Sequence, residues 1–467
     1  MKNITINNIL KICNGKLIGP LNGNADVEAD GVVIDSRLAR ENYIFIATVG
    51  ERADGHTFID NVFENGALAV ICEKQPQCPA GPCILVEDSL EALRRIAEFY
   101  RKQIPAKIIG ITGSVGKTST KEFVAGVLSK SFNVYKTEGN FNNTIGVPLT
   151  ILKIRDEHEI AVVEMGINHF GEMSMLTSIV RPDIAIITNI GECHLEFLID
   201  RDGVLKAKSE IFEGLQIDGS VILNGDDDKL LTINEVHDKK PLYTGINNKS
   251  ADYIALNIKD SGIYGSSFDV RLPNGTTFNT TVSLPGMHMV SNALTATAVA
   301  HSLNMDIDSI RQGIQAIKPT EGRSNIINVN DLIIIDDCYN ANPTSTKAAL
   351  DMLSKTEVKG NKIAILGDMF ELGNNEDSLH REIGAYAAGK GIDKIICIGR
   401  LSYNTYIGVR DCCTEKTDSN VFYYETLESA MNSISDHIAG GDIVLIKASH
   451  GMNFKTLVDY FSVQQNP

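Results

Sequence analysis

The chain has 467 residues, a length for two to four domains, and its apolar share of 43% is that of a globular protein. A net charge of −16 argues against a nucleic-acid surface, which needs clustered basic residues, yet leaves room for one nest of amides and a lysine around a nucleotide phosphate. With no run of 18 apolar residues, no signal-peptide core at the start and nine scattered cysteines without metal-ligand spacing, the sequence predicts a reduced cytoplasmic protein with no membrane insertion.

Three regions follow in chain order. In residues 1–105, short apolar runs at 31–34, 43–47, 67–72 and 83–86 alternate with turn-rich joints. Leu90, Leu93, Ile96 and Phe99 then recur at helical spacing over 89–101. In residues 106–317, an apolar run at 107–112 is followed by a helical stretch at 118–130 and further runs at 160–165, 183–190 and 220–224. Strands alternating with helices predict an α/β doubly wound parallel sheet. Residues 253–284 differ: their alternation and the Asn274–Gly275 pair predict an antiparallel β insert with a hairpin, before a helix at 291–303. In residues 318–467, runs at 331–336, 362–366, 394–398 and 442–447 predict a second parallel sheet.

The densest chemistry lies between Gly110 and Ser119, where Gly113, Gly116, Lys117 and Thr118 follow an apolar run and open a helical stretch. That context predicts a phosphate loop for ATP. Glycines let Gly113, Ser114, Val115 and Gly116 turn their N–H groups inward, and the helix dipole adds to the attraction. Lys117 supplies a point charge for the β- and γ-phosphates, Thr118 offers its hydroxyl to Mg²⁺, and Ser119 continues the turn. The spacing departs from the generic loop, whose first glycine would fall at Ile111.

Three further residues have less to identify them. Glu164 ends the run at 160–165, and a carboxylate at the C-terminal end of a parallel strand faces the ligand crevice. Binding Mg²⁺ would suit it there, and so would a solvated strand end. His194 follows another strand and reads first as a structural hydrogen-bonder. Lys208 reads as a helix-surface lysine.

Longer strings change these readings. Ile34-Asp35-Ser36-Arg37, Asp54-Gly55-His56, the phosphate loop, Asn140-Phe141-Asn142-Asn143-Thr144, Glu164-Met165-Gly166, His194-Leu195-Glu196, Ala207-Lys208, Asn292-Ala293-Leu294, Asp337-Cys338-Tyr339-Asn340-Ala341-Asn342-Pro343 and Gly367-Asp368-Met369 occur in one order. Together they resemble the Mur ligases over nearly the whole chain. The Tyr339–Pro343 string resembles the branch that joins D-alanyl-D-alanine to UDP-N-acetylmuramoyl-tripeptide, rather than sister ligases or folylpolyglutamate synthases.

The resemblance implies three domains: a UDP-substrate domain at 1–105, a central ATP-binding P-loop domain at 106–317 and a Rossmann-like C-terminal domain at 318–467. It implies ATP and Mg²⁺ as cofactors, and we expect a monomer. Glu164 and His194 become magnesium ligands and Lys208 a carbamylated lysine that helps hold a second ion. Asn292, Arg323, Asp337 and Asn340 become ATP contacts. Ser36, Arg37, Asn142, Asn143 and Thr144 become contacts to the UDP-sugar-peptide. Three positions depart from the family pattern. A Gly-Ser pair is absent at Ile199–Asp200, Met289 stands where the family has Asn, and His450 stands where it has Arg. If His450 meets a phosphate or carboxylate, binding there should be weaker and pH-dependent.

Overall fold

Runs such as Lys107-Ile-Ile-Gly-Ile-Thr112 and Ile443-Val-Leu-Ile-Lys447 are apolar without alternation because both faces of their strands are covered. A computed structural model describes the chain apart from residues 22, 51–52, 320–321, 413–419 and 464–467, so Cys413, among the scattered cysteines, lies outside the described residues. The described residues form three sheets of five, nine and six strands, one in each region expected from the sequence.

The first sheet runs Lys16–Ile18, Cys83–Leu85, Ala69–Cys72, Tyr43–Ile46, Gly31–Val33, parallel except for its first strand. The central sheet carries the parallel set Leu242–Gly245, Ser220–Asn224, Ile184–Ile187, Lys107–Thr112, Ile160–Glu164 and Val134–Lys136. The third sheet runs Asn325–Val329, Leu332–Asp336, Ile443–Lys447, Lys362–Gly367, Lys394–Ile398, Val421–Tyr424, parallel except for its first strand.

Three features differ from the sequence expectation. The antiparallel segment does not stand apart: Tyr253–Asp260 pairs with Leu242–Gly245, so the segment covers what would be an open edge of the central sheet. Its hairpin is not a two-residue turn on Asn274–Gly275. Gly275 alone has positive φ, at 85°, and its N–H donates to Leu272 O. Pro273 takes the second position of that turn, where its fixed φ suits a type I turn. In the third region Asn325–Val329 and Val421–Tyr424 are additional strands, unforeseen because Asn325 and Asn328 interrupt one and both are half-exposed.

The first and central regions share one apolar core, which runs from Ile4 to Val236. The helix Ser89–Arg101 is its bridge, packing on Ile6–Cys13 on one side and on Gly146–Leu152 and Glu172–Val180 on the other. Its last turn fixes the seam. Tyr100 donates to Ile154 O at 2.7 Å, and Arg101 donates to Val180 O at 2.8 Å and Arg181 O at 3.0 Å. The third region has cores of its own, joined to the central region at fewer points: Ile263 sits in one of those cores and Lys355 pairs with Asp260.

Removing a partner from a buried acceptor costs on the order of 1–3 kcal/mol. Tyr100→Phe and Arg101→Met should therefore each lower the urea unfolding midpoint, Arg101→Met more because it takes a donor from three carbonyls, Val180 O, Arg181 O and Ile104 O, and leaves Asp183 without its guanidinium. An unchanged midpoint for Arg101→Met would show that the seam does not depend on these bonds.

Candidate active site

From Lys107–Thr112 the chain passes to strands on both sides, Ile160–Glu164 and Ile184–Ile187, so the C-terminal end of this strand is the switch point of the central sheet. Gly110 lies inside the strand, and the loop proper begins at Gly113. A side chain on Gly113 would stand 1.9 Å from Thr188 Oγ1, so only glycine fits. Gly116, at φ 81°, starts the helix Lys117–Leu128 without a side-chain cap, which leaves the first N–H groups of the helix facing the cleft for an anion. Asn189 stitches the loop down: its O accepts from Ser114 N and its Oδ1 from Val115 N, both at 3.0 Å, so these two amides turn to Asn189 and not inward as the sequence suggests. Lys117 Nζ rests on Gly113 O at 2.9 Å, and Arg323 reaches across to Thr118 Oγ1 at 3.3 Å.

Glu164 is buried beside the loop. Its Oε1 accepts from Thr118 Oγ1 at 3.1 Å and Asn142 Nδ2 at 2.7 Å, whereas its Oε2 has no hydrogen-bond partner. Lys121 Nζ, also buried, stands 3.8 Å from that oxygen and donates to Thr137 O. The solvated-strand-end reading of Glu164 is thus set aside.

The surface reading of Lys208 is corrected too. Its side chain is fully buried, its Nζ has no hydrogen-bond partner, and burial pushes its ammonium down to about 8. The sequence did carry a signal: Val204, Ala207, Lys208 and Ile211 share one helical face, and the others on that face are apolar.

His194 makes no aligned hydrogen bond through Nδ1, which stands 2.6 Å from Glu371 Oε2 of the C-terminal region. His194 beside it holds the Glu371 carboxyl below the usual carboxylate range. Both residues have left-handed backbone, at φ 52° and 62°. Two such residues cost on the order of 1–3 kcal/mol each, more than the ~0–1 kcal/mol that a half-exposed ion pair returns.

Ser114, Val115, Gly116, Lys117, Thr118, Ser119, Asn142, Asn143, Thr144, Glu164, His194, Asn292, Arg323, Asp337 and Asn340 all line one cavity of about 710 Å³ between the central and C-terminal regions. Ser36 and Arg37 do not: they lie in a short 3-10 turn of the first region, where Arg37 pairs with Asp35. Gly113 and Lys208 stand behind the lining. Asn143 spends its side-chain oxygen on Ile145 N and Gly146 N. On the far wall Lys447 Nζ holds Asp337 Oδ2 at 2.6 Å and Asn340 O at 3.0 Å. Sequence reasoning passed over Lys121 and assigned no role to Asn189, Glu371 and Lys447, although these three stand in family-like strings, because their partners at the site lie in distant segments.

The departures have structural counterparts. Ile199 sits at φ 74°, a conformation glycine would adopt freely. Met289 is buried and receives Asn292 Nδ2 on its sulfur at 3.7 Å. His450 is exposed, its ring 5.7 Å from Tyr339, over which Arg323 stacks at 3.9 Å.

Three family models match the chain: "Mur ligase family, catalytic domain" at residues 28–102, "Mur ligase middle domain" at 111–300 and "Mur ligase, glutamate ligase domain" at 322–450. The UDP-N-acetylmuramoyl-tripeptide–D-alanyl-D-alanine ligase of Bacillus subtilis is 36% identical over 97% of each chain. The crystal structure of MurF from Acinetobacter baumannii superposes with a TM-score of 0.88 at 31% identity over 98% of each chain. MurF ligase from Thermotoga maritima, solved in complex with ADP, gives 0.80 at 27% identity over 92% of this chain and 97% of its own. Alike from end to end and in all three segments, the chain belongs to the Mur ligase family, on its UDP-N-acetylmuramoyl-tripeptide–D-alanyl-D-alanine ligase branch.

Proposed function

We propose that this protein joins D-alanyl-D-alanine to UDP-N-acetylmuramoyl-tripeptide, using ATP and releasing ADP and phosphate, as a step of peptidoglycan precursor synthesis. The observation that carries this reading is the shared cavity. The phosphate loop and Glu164 face Arg323, Asp337 and Asn340 across it, with Asn142 and Thr144 at its side. We place the domain boundaries at 1–105, 106–317 and 318–467, one sheet to each. The described cysteines are all free, which suits a reducing cytoplasm.

The chemical problem is the leaving group. An amine cannot displace oxide from a carboxylate, so the tripeptide carboxylate oxygen first attacks the γ-phosphorus, and the bond to the ADP oxygen breaks. The dipeptide amine then attacks the acyl carbon of that acyl phosphate, gives up a proton and expels phosphate. The first step brings two anions together, so charge neutralisation and in-line placement dominate. The uncapped amides at the start of the helix Lys117–Leu128 hold the phosphates, Lys117 leaves Gly113 O for the β- and γ-oxygens, and Arg323 approaches from the opposite wall. Closure of the C-terminal region around them keeps water from the acyl phosphate.

Magnesium fits these residues. Glu164 Oε2 is a buried oxygen without a hydrogen-bond partner, next to the Thr118 hydroxyl. No group of three His, Cys, Asp or Glu that could hold an ion stands among the described residues, so phosphate oxygens and water would have to complete the shell. Thr118 and Glu164 would hold one ion, and His194 with carbamylated Lys208 a second, supplying positive charge against the phosphoryl oxygens. Lys208 suits carbamylation: only a neutral amine attacks CO₂, and a side chain lowered to about 8 keeps roughly a tenth to a fifth of its amine neutral near physiological pH, far more than an ordinary lysine does. The reaction replaces a buried cation with an anion that a metal can answer.

Two tests follow. Phosphate release should require ATP, Mg²⁺, UDP-muramoyl-tripeptide and D-alanyl-D-alanine together; release without the peptide acceptor would point to a plain ATPase, and release with another amine to a sister ligase. Lys208→Ala should lower kcat by at least about 100-fold, as loss of one transition-state charge does. Formate or acetate should restore part of it, and near-normal turnover in this variant would overturn the carbamate assignment.

A further inference from the structure

The contact between His194 and Glu371 is not accounted for by packing or by stability. Glu371 is half-exposed, and an exposed pair returns less than the two left-handed backbones cost. Yet both ends are firmly held. Glu371 lies between Met369 and Leu372, both buried in the C-terminal core, and His194 follows the buried Cys193. Leu195, next to His194, packs against the central core and the C-terminal core together. A Cβ on Gly373 would stand 3.2 Å from Glu196 Cα, so the backbones of the two segments meet at this point. Strain kept by rigid surroundings at a cleft points to function rather than to folding.

The chemistry of imidazole says which function. A neutral ring has one N–H and one lone pair, and the partner of one nitrogen decides what the other offers. Histidines that ligate metals commonly give the remote N–H to a carboxylate. We propose that Glu371 is the positioning residue for His194: its carboxylate accepts the Nδ1 proton, fixes that tautomer and so presents the Nε2 lone pair to a divalent cation. The two atoms already stand at hydrogen-bond distance, 2.6 Å. Glu371 belongs to the C-terminal region, so the cation site is complete only while that region is docked. Cation binding and domain closure therefore favour each other, by the same factor in both directions. This rests on the proposed reading of His194 as a cation ligand.

The test is titration of Mn²⁺, with free ion read by electron paramagnetic resonance, into the full chain holding a non-hydrolysable ATP analogue. Glu371→Met, which keeps the size and removes the acceptor, should weaken Mn²⁺ binding roughly 10–100-fold. Glu371→Gln keeps an oxygen that accepts the same proton and should bind nearly as the parent does. His194→Ala should weaken binding at least as much as Glu371→Met, and combining the two should add nothing further. Parent-like binding by Glu371→Met beside a weakened His194→Ala would overturn the positioning role and leave the ligand reading standing. Equal loss in the Met and Gln variants would also overturn it, because charge rather than proton acceptance would then be responsible. Parent-like binding by His194→Ala would remove both.

Discussion

Glu164 sets the demand that the rest of the cleft answers. A carboxylate taken out of water costs several kcal/mol unless charge and hydrogen bonds replace its hydration. One oxygen is satisfied by Thr118 from the phosphate-loop helix and Asn142 from the following loop. Its backbone N–H is fixed by Thr137 Oγ1, which joins it to the segment beyond the neighbouring edge strand. The second oxygen has only the distant charge of Lys121, itself buried to reach it. Two segments of the central region, the phosphate-loop helix with Thr118 and Lys121 and the loop with Asn142, are thus tied to one side chain, and a third, at Thr137, to its backbone.

The two walls of the cleft are attached differently. The first and central regions are fused by a common core and by the buried bonds of Tyr100 and Arg101. The C-terminal region keeps cores of its own and meets the central one through Ile263, the Lys355–Asp260 pair, Leu195 and the Arg323 and Glu371 side chains. Such a seam, small and partly polar, is the kind that opens and closes without unfolding either side. The cleft residues follow that division: the phosphate loop sits on the wall fused to the first region, and Arg323, Asp337 and Asn340 on the wall attached at fewer points.

The sequence was most legible where local chemistry leaves few choices. The Ile- and Val-rich strands could be placed because burial on both faces removes alternation, and the phosphate loop because the contact of Gly113 with Thr188 tolerates no side chain. Edge strands such as Asn325–Val329 escaped because half-exposure dilutes the pattern. Lys208 was misread in isolation although its own helix face was apolar, since a charged residue on such a face is ordinarily one that reaches past it to water. Glu371 and Lys447 stand in strings that resemble the family, Leu366-Gly367-Asp368-Met369-x-Glu371 and Lys447-Ala448-Ser449-His450, but nothing local gave either a role. Their partners, His194 and Asp337, lie in other segments, and only the fold brings them together. The family resemblance supplied the roles that pattern and spacing could not.

The shared core also bears on synthesis of the chain. The outer face of the helix Ser89–Arg101 finds its cover in Gly146–Leu152 and Glu172–Val180, which leave the ribosome later. At about 5–20 residues per second, roughly 4–16 seconds pass between the end of that helix and the end of its cover. Through that interval Tyr100, Ile104 and their neighbours are wet, and the first sheet is a nascent half-domain whose inner surface waits for the next one to be translated.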